Sequence, residues 1–208
     1  IDCAGINNID NRSNQEDAMV TANLTGEQVE ELKQNTAEHF WPHARPAGDV
    51  SDDVGIKLVK SAEGIWVEDV DGDKYLDLVA GMFLKAIGHG RKEIAEAVYK
   101  QMLDISFSPG ATITPVTAEL AGKVASLAPD KQSRIYFTSG GSESVETAIK
   151  MAKNYHVNNG DAGRWKVLSR KGSYHGGTHM CMSLGQPGGV VAQIGPLMPG
   201  NVHVAQHN

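Results

Sequence analysis

A glycine-rich turn, residues 139–142 (SGGS), has the composition of an anion-binding site. This glycine turn stands between a predicted strand and a predicted helix, and a helix N-terminus offers unpaired N–H groups and partial positive charge that suit a phosphate. Gly140 and Gly141 let the backbone come close to a ligand, while Ser139 and Ser142 add hydroxyl donors. The alternative is a plain helix cap, and the local residues favour neither interpretation. The P-loop motif GxxxxGK[ST] and the dinucleotide motif GxGxxG are both absent.

A second motif, GSYHGG at residues 172–177, follows another predicted strand. Ligands in open α/β sheets bind beyond the carboxyl ends of the strands, so this tyrosine loop faces the same edge as the glycine turn. Tyr174 could stack on a flat ligand ring, although a surface tyrosine is the simpler alternative. A phosphate-binding turn and an aromatic side chain that can stack on a ring, both at one sheet edge, together indicate a phosphorylated, flat cofactor.

Two candidate metal sites fail on spacing, so no metal is predicted. His175 and His179 lie four residues apart, but two glycines between them make the helix that would pair them improbable. The run DVDGDKY (69–75) lacks the glycine at position six and the glutamate at position twelve of a calcium-binding EF-hand loop. Its Asp-Gly pair instead predicts a β-hairpin turn.

The elements that must position these motifs follow from hydrophobic periodicity and turn residues. Helices are predicted from Thr25 to before Pro42, over 91–103, from Pro115 to before Pro129, and over 143–156; strands are predicted at 56–61, 64–70, 75–79, 134–138 and 165–168. The order strand 134–138, glycine turn, helix, loop, strand 165–168 forms a βαβ unit, which predicts an α/β fold with a parallel sheet.

Three of these helices carry apolar stripes. The stripes, listed helix by helix, are Ile94, Val98 and Met102; Val116, Leu120, Val124 and Leu127; and Val145, Ala148, Ile149 and Ala152. The last set is expected to be the buried face of its helix.

Composition excludes several broad classes of protein. The chain has 208 residues, of which 40% are hydrophobic and 21% charged, as in a globular domain rather than a disordered one. A net charge of −6 argues against a nucleic-acid partner, and no apolar run approaches the roughly 20 residues of a membrane span. Cys3 and Cys181 form no CxxC motif, which favours a reducing cytoplasm.

The run RIYFTSGGSESVETAIKMAK (134–153) resembles the phosphate-binding signature of class III (omega-type) aminotransferases, pyridoxal-phosphate enzymes of fold type I. The tyrosine loop resembles the loop of the same family that carries a stacking tyrosine. Three further stretches agree in order and spacing: HFWPH (39–43), GIWVEDVDGDKYLDLVAG (64–81) and GHGRKEIAEAV (88–98). The resemblance covers roughly residues 25–185.

The resemblance implies a set of cofactor-binding residues for pyridoxal 5'-phosphate. Gly141 and Ser142 would hold the phosphate, and Glu146 would be an acidic residue near the cofactor. Gly140 is also counted among the cofactor-binding residues, although with Ser139 it replaces an Asn-Ser pair that is more common in the family. Tyr174 would stack on the pyridine ring, with His175 and Gly176 completing that motif.

The resemblance also implies a substrate pocket and an activity. Trp41 and Phe83 fall where members of the family line the pocket for small-molecule amines and keto acids. The implied reaction moves an amino group from an amine or omega-amino acid to a keto acid such as pyruvate. The alternatives are a non-catalytic remnant that binds the cofactor and dimerises, or an aminomutase or decarboxylase of the same family.

The family's Schiff-base lysine and the aspartate that meets the ring nitrogen are expected beyond Asn208, so this chain alone is predicted to be inactive. Residues 1–24 are expected to be a tail, 25–88 part of a small α+β domain, and 89–208 the first part of the large cofactor-binding domain of fold type I. The intact enzyme is expected to be a homodimer, with residues 106–114 lining the interface.

Overall fold

The computed structural model of the chain describes residues 24–43, 57–185 and 195–205, which contain six helices and five strands. The chain divides into two compact units, 1–108 and 109–208. The predicted tail lies almost wholly outside the described residues, and the domain boundary expected at residue 88 stays a prediction for the intact protein.

The helices and strands have the following bounds. The helices are α1 (Gly26–His39), α2 (Ala80–Phe83), α3 (Lys92–Asp104), α4 (Pro115–Leu127), α5 (Gly141–Asn158) and α6 (His179–Gly185). The strands are β1 (Val59–Glu63), β2 (Trp66–Asp69), β3 (Lys74–Leu76), β4 (Val167–Arg170) and β5 (Asn201–Val204).

The caps of α1 and α4 stand at the threonines that the sequence indicates. Thr25 and Gln28 form a reciprocal capping box, in which each side chain accepts the backbone N–H of the other residue at 3.3 and 2.9 Å. Thr114 accepts the N–H of Thr117 at 3.3 Å, and Pro115 occupies the first helical position of α4. Both predicted helix starts are therefore confirmed.

Unit 1 is built on an antiparallel sheet in the order β1-β2-β3. The turn between β2 and β3 is closed by Asp69, which is 1% exposed. Its carboxylate accepts the N–H groups of Asp71 and Asp73 at 3.1 and 2.9 Å and the hydroxyl of Tyr75 at 2.9 Å. Gly72 takes a positive φ of 91° in the same turn. The hairpin prediction is confirmed, and the carboxylate that suggested calcium serves the turn.

Helix α2 is a left-handed turn, which the sequence does not predict. Ala80, Gly81, Met82 and Phe83 have φ angles of 47°, 56°, 54° and 72°. The left-handed conformation costs about 1–2 kcal/mol for each residue with a Cβ, whereas glycine adopts it readily. Three of these four residues therefore carry backbone strain.

Unit 2 contains the parallel pair β4–β5, in which Leu168 lies opposite Val202. The strand predicted at 134–138 is wrong: no described strand pairs with this segment through backbone hydrogen bonds, and a strand exists only through its partners. Helix α5 starts at Gly141, two residues before the predicted position.

The apolar faces of the long helices are more exposed than expected. On α5, Val145 and Ile149 are only half-buried, while Ala148 and Ala152 are exposed, so the prediction that they form a buried face is wrong. No residue of α3, α4 or α5 is fully buried. An apolar stripe is buried only where a second helix or strand packs against it. Few of the described residues pack against the apolar stripes of these three helices.

The best-packed part of unit 2 surrounds α6, where Cys181 is 0% and Leu184 3% exposed. The last carbonyl groups of α6 are satisfied by neighbouring groups: Ser169 donates to Leu184 O at 2.7 Å, and His203 Nε2 lies 2.9 Å from Ser183 O. These bonds join α6 to β4 and β5. Neither α6 nor β5 was predicted, because short elements in a glycine-rich stretch show no clear period.

Within 24–43, 57–185 and 195–205, none of the helices combines the length and the apolar character of a transmembrane span.

Candidate functional site

Side chains from the first turn of α5 fix the shape of the glycine turn. The carboxylate of Glu143 accepts the N–H of Ser139 at 2.8 Å. The hydroxyl of Ser144 lies 2.5 Å from that of Thr138 and donates to the carbonyl oxygen of Gly140 at 3.1 Å. The turn therefore has a defined conformation before any ligand binds.

The first N–H groups of α5 are available to an anion. In the part of the chain that the structure describes, the N–H groups of Gly141, Ser142 and Glu143 have no acceptor, and the first helical bond runs from Ser144 N to Gly140 O at 3.0 Å. A Cβ built at Gly140 or Gly141 would meet no atom within 4 Å, so the space before the helix is open. Unpaired N–H groups at the positive end of a helix form the type of site that binds phosphate.

Ser142 joins the glycine turn to the tyrosine loop. Its hydroxyl oxygen accepts the N–H of Gly177 at 3.0 Å, and its carbonyl oxygen accepts the thiol of Cys181 at 3.4 Å. Gly176 is buried with a φ of 133°, and a Cβ at this position would lie 3.0 Å from both Cα and Cβ of Ser142. Three contacts thus fasten the tyrosine loop and α6 to the first turn of α5.

Tyr174 is presented outward by a loop whose base is tied down. Its side chain is 83% exposed, so a ring face is accessible to a ligand. The hydroxyl of Ser173 donates to Arg170 O at 2.6 Å and lies 2.9 Å from Nε2 of His175. The loop is therefore held at both ends: Ser173 bonds Arg170 at the end of β4, and Gly177 bonds Ser142.

The predicted site residues are divided between the two units. Glu146 is half-buried and lines an open cavity of about 470 Å³ with Ser139 and Lys150, and no residue of the tyrosine loop lines that cavity. Trp41 and Phe83 belong to unit 1, where their side chains are 74% and 83% exposed. Gly140, Gly141, Ser142, Tyr174 and His175 all belong to unit 2.

The two histidines that suggested a metal have separate partners. Nε2 of His175 lies by Ser173, whereas Nε2 of His179 lies 3.0 Å from Pro196 O. Across the described residues, no group of three metal-ligating side chains comes together.

Sequence reasoning missed three residues of this site. Glu143 could have been found from its position three residues after the N-cap Gly140, from which a glutamate commonly reaches back to a backbone N–H at the helix start. Gly177 stood in the recognised motif, but its bond to Ser142 spans 35 residues and has no local signal. Cys181 gave no signal beyond the general tendency of cysteine to be buried.

Comparisons with known proteins point to one family. The sequence model of the family described as Aminotransferase class-III matches residues 48–208. An uncharacterised aminotransferase of Bacillus subtilis is 37% identical over 180 residues, covering 86% of this chain and 39% of that protein. The putrescine–pyruvate aminotransferase of Pseudomonas aeruginosa is 30% identical over 191 residues, covering 90% of this chain and 41% of that protein.

A solved structure shows the same likeness in three dimensions. The (S)-enantioselective omega-transaminase from Thermomicrobium roseum superposes with a TM-score of 0.76 at 38% identity, covering 86% of this chain and 40% of that one. The chain therefore spans about two fifths of the length of these relatives. The chain belongs to the class III aminotransferase family of pyridoxal-phosphate-dependent, fold type I transferases.

Proposed function

We propose that the intact protein carrying this chain moves an amino group from an amine or omega-amino acid to a keto acid such as pyruvate. The observation that carries the proposal is a pair of hydrogen bonds made by Ser142, one with Gly177 and one with Cys181. They join the tyrosine loop and α6 to the start of α5, where three backbone N–H groups have no acceptor among the described residues. The named activities of the relatives support the same reaction class. Because the chain spans only part of their length, the proposal concerns the whole protein.

The glycine turn fits the phosphate of pyridoxal 5'-phosphate. Three N–H groups without acceptors begin α5, and a Cβ at Gly140 or Gly141 would meet no atom within 4 Å, so an anion has room beside these glycines. Since Ser142 Oγ accepts the N–H of Gly177, its own proton is left to donate to a phosphate oxygen. The nearby carboxylate of Glu143 already bonds Ser139 N–H, so the turn keeps its shape beside the anion.

The tyrosine loop fits the ring of the same cofactor. Tyr174 would stack on the ring face, and His175 would be held beside it by Ser173. When bound, pyridoxal 5'-phosphate supplies a ring that accepts the electron pair of the bond broken at the substrate carbon. The residues of this chain would bind and orient that ring, and the role of Glu146 would be electrostatic.

We propose that the nucleophilic lysine and the partner of the ring nitrogen come from the remainder of the intact protein, so that these 208 residues alone do not transfer amino groups. Lys150 lines the cavity beside Glu146 and Lys153 lies further along α5. The chain is incubated with the cofactor, reduced with borohydride and analysed by peptide mapping. No lysine should be modified selectively. A selective adduct on Lys150 or Lys153 would contradict this proposal.

Product analysis tests the reaction itself. The intact protein, incubated with the cofactor, a diamine or omega-amino acid and pyruvate, should form alanine and the carbonyl product of the donor in equal amounts. Release of carbon dioxide would instead identify a decarboxylase, and a donor isomer with a shifted amino group would identify an aminomutase. A protein that binds the cofactor and forms none of these products would be a remnant.

We further propose a homodimer and a cytoplasmic location for the intact protein. The resemblance of residues 106–114 to the family's interface supports the dimer, and the absence of a CxxC motif supports the reducing compartment. Trp41 and Phe83 would line the substrate pocket. Light scattering of the intact protein should give twice the mass of one chain, and a monomer would contradict the dimer.

A further inference from the structure

A side-chain carboxylate holds the left-handed turn α2, in addition to backbone bonds such as that from Phe83 N–H to Val79 O at 2.8 Å. The carboxylate of Asp77 accepts the N–H of Gly81, in the middle of the turn, at 2.7 Å. The same oxygen lies 2.9 Å from Nε2 of His89. The imidazole of His89 holds the pKa of Asp77 below its usual value, although burial acts in the opposite direction. Asp77, which accepts the N–H of Gly81, is therefore an ionised carboxylate at neutral pH.

His89 is itself fixed to the sheet of unit 1. Its N–H donates to Gly64 O at 2.8 Å, and Gly64 N–H donates to His89 O at 3.1 Å. Gly88 packs so closely that a Cβ there would lie 3.2 Å from Gly64 O. Asp77 stands one residue after β3. Both members of the pair thus rest on the β1-β2-β3 sheet, and their side chains are only 15% and 19% exposed for Asp77 and His89.

The turn presents bulky apolar side chains that do not form the core of their unit. Met82 and Phe83 are 75% and 83% exposed. Strained left-handed residues persist only where the surroundings enforce them, and such strain clusters at ligand-binding sites. Phe83 is the last residue of this turn, so the bonds that hold the backbone of the turn also set where its side chain leaves the backbone.

We propose that Asp77, held by His89, is a positioning residue that fixes the direction of the Phe83 ring and so determines how large an amine the pocket accepts. This inference rests on the proposed function, because it takes Phe83 to line the pocket for the amino donor. Asp77 itself acts through the N–H of Gly81 and the turn, without contact to the substrate.

A measurement that needs no activity tests the positioning. In the intact protein, 4-fluorophenylalanine placed at position 83 should give one sharp ¹⁹F resonance. Asp77→Ala should broaden or split that resonance, and Asp104→Ala, which removes an exposed carboxylate at the end of α3, should leave it unchanged. If Asp77→Ala fails to fold, His89→Gln provides the same test, because it removes the imidazole while keeping the backbone pairing with Gly64.

Kinetics test the effect on specificity. Asp77→Ala should raise KM for a bulky aromatic amine about tenfold relative to a small aliphatic amine, with kcat changed less than about twofold. In a Phe83→Ala background the same substitution should no longer change the ratio of KM values, because Asp77 acts through that ring.

The two measurements separate this inference from the proposed function. An unchanged ¹⁹F resonance in both variants overturns the positioning role, whatever the activity. A broadened resonance with unchanged KM values overturns the specificity role. A protein that transfers no amino group from any donor refutes the proposed function, and the resonance then still decides whether Asp77 positions Phe83.

Discussion

The hydroxyl oxygen of Ser142 accepts the amide N–H of Gly177 at 3.0 Å, across 35 residues of chain. This bond joins the first turn of α5, where a phosphate would bind, to the loop that carries Tyr174, where a ring would stack. The phosphate and the ring of one cofactor are held a fixed distance apart, so the two halves of its site must be held together as well. Ser142 provides that link.

Gly176→Ala should separate these two halves. The new Cβ would lie 3.0 Å from Cα and Cβ of Ser142, at a φ of 133° that an alanine rarely adopts. We expect the free energy of unfolding, measured by urea titration, to fall by about 2 kcal/mol. Gly177→Ala is the matched control: its Cβ would meet nothing within 4 Å, and it keeps the N–H that bonds Ser142. Equal losses in the two variants would show that close packing on Ser142 does not matter.

Ser169→Ala should destabilise the packing around α6. The buried hydroxyl of Ser169 donates to Leu184 O at 2.7 Å, and its removal leaves a buried carbonyl without that donor. The expected loss in the free energy of unfolding is about 1–3 kcal/mol. Ser126→Ala removes an exposed hydroxyl that bonds only within α4, and should change stability by less than about 0.5 kcal/mol. A Ser169→Ala variant as stable as the parent would contradict the structure of this region.

Met82→Gly should stabilise the protein, which is unusual for a large-to-small change. Met82 has a φ of 54° and is 75% exposed, so glycine relieves strain and loses little packing. We expect a gain of up to about 1 kcal/mol, after the larger entropy loss of glycine on folding. Met102→Gly, in the right-handed helix α3, should instead cost about 1 kcal/mol. Destabilisation by both variants would argue against the left-handed turn.

Acid should remove the contribution of Asp69 to stability. Burial raises the pKa of this carboxyl, but the bonds from Tyr75, from the N–H of Asp73 and from Lys57 outweigh burial and hold the pKa below its usual value. A carboxyl with a lowered folded pKa stabilises the protein above its unfolded value of about 3.9, and this stabilisation is lost as the pH falls through the folded pKa. Urea titrations should therefore show Asp69→Asn to be less stable than the parent at pH 6.

The same comparison at low pH completes the test. The difference in stability between the parent and Asp69→Asn should begin to shrink as the pH falls below about 4. It should be smallest once the pH is below the lowered pKa of the folded carboxyl, because the parent carboxyl is then protonated too. Asp104→Asn, which alters an exposed carboxyl, should show a small difference at both pH values. A difference for Asp69→Asn that does not depend on pH would mean that the ionised carboxylate does not stabilise the turn.

Local signals allowed the hairpin, the capped helices and the glycine turn to be predicted from the sequence. Asp71-Gly72, Thr25 and Thr114 each act on residues within four positions, so their effect is visible in a short stretch of sequence. The resemblance of five ordered stretches led to the family, which the comparisons confirm.

Features that depend on distant partners could not be predicted in this way. The segment 134–138 has the residues of a strand, but strand formation requires a neighbour, and the described residues supply none. Gly176 was expected as part of the tyrosine motif, whereas the structure shows that it also packs against Ser142, which is 34 positions away. In the left-handed turn at Ala80–Phe83, the N–H of Gly81 donates to Asp77, which pairs with His89 twelve positions away, and the turn contradicts the local preference of three of its residues.

The central claim is that Ser142 and the start of α5 bind the phosphate of the cofactor, and comparing two ligands tests it most directly. The dissociation constants of pyridoxal 5'-phosphate and of pyridoxal, which lacks the phosphate, are measured by titration with the intact parent protein and with Ser142→Ala. The parent should strongly prefer the phosphorylated ligand. Ser142→Ala should reduce that preference by about tenfold or more, since a hydrogen bond to a charged group contributes about 1.5–3 kcal/mol. An identical preference in the two proteins would contradict the account.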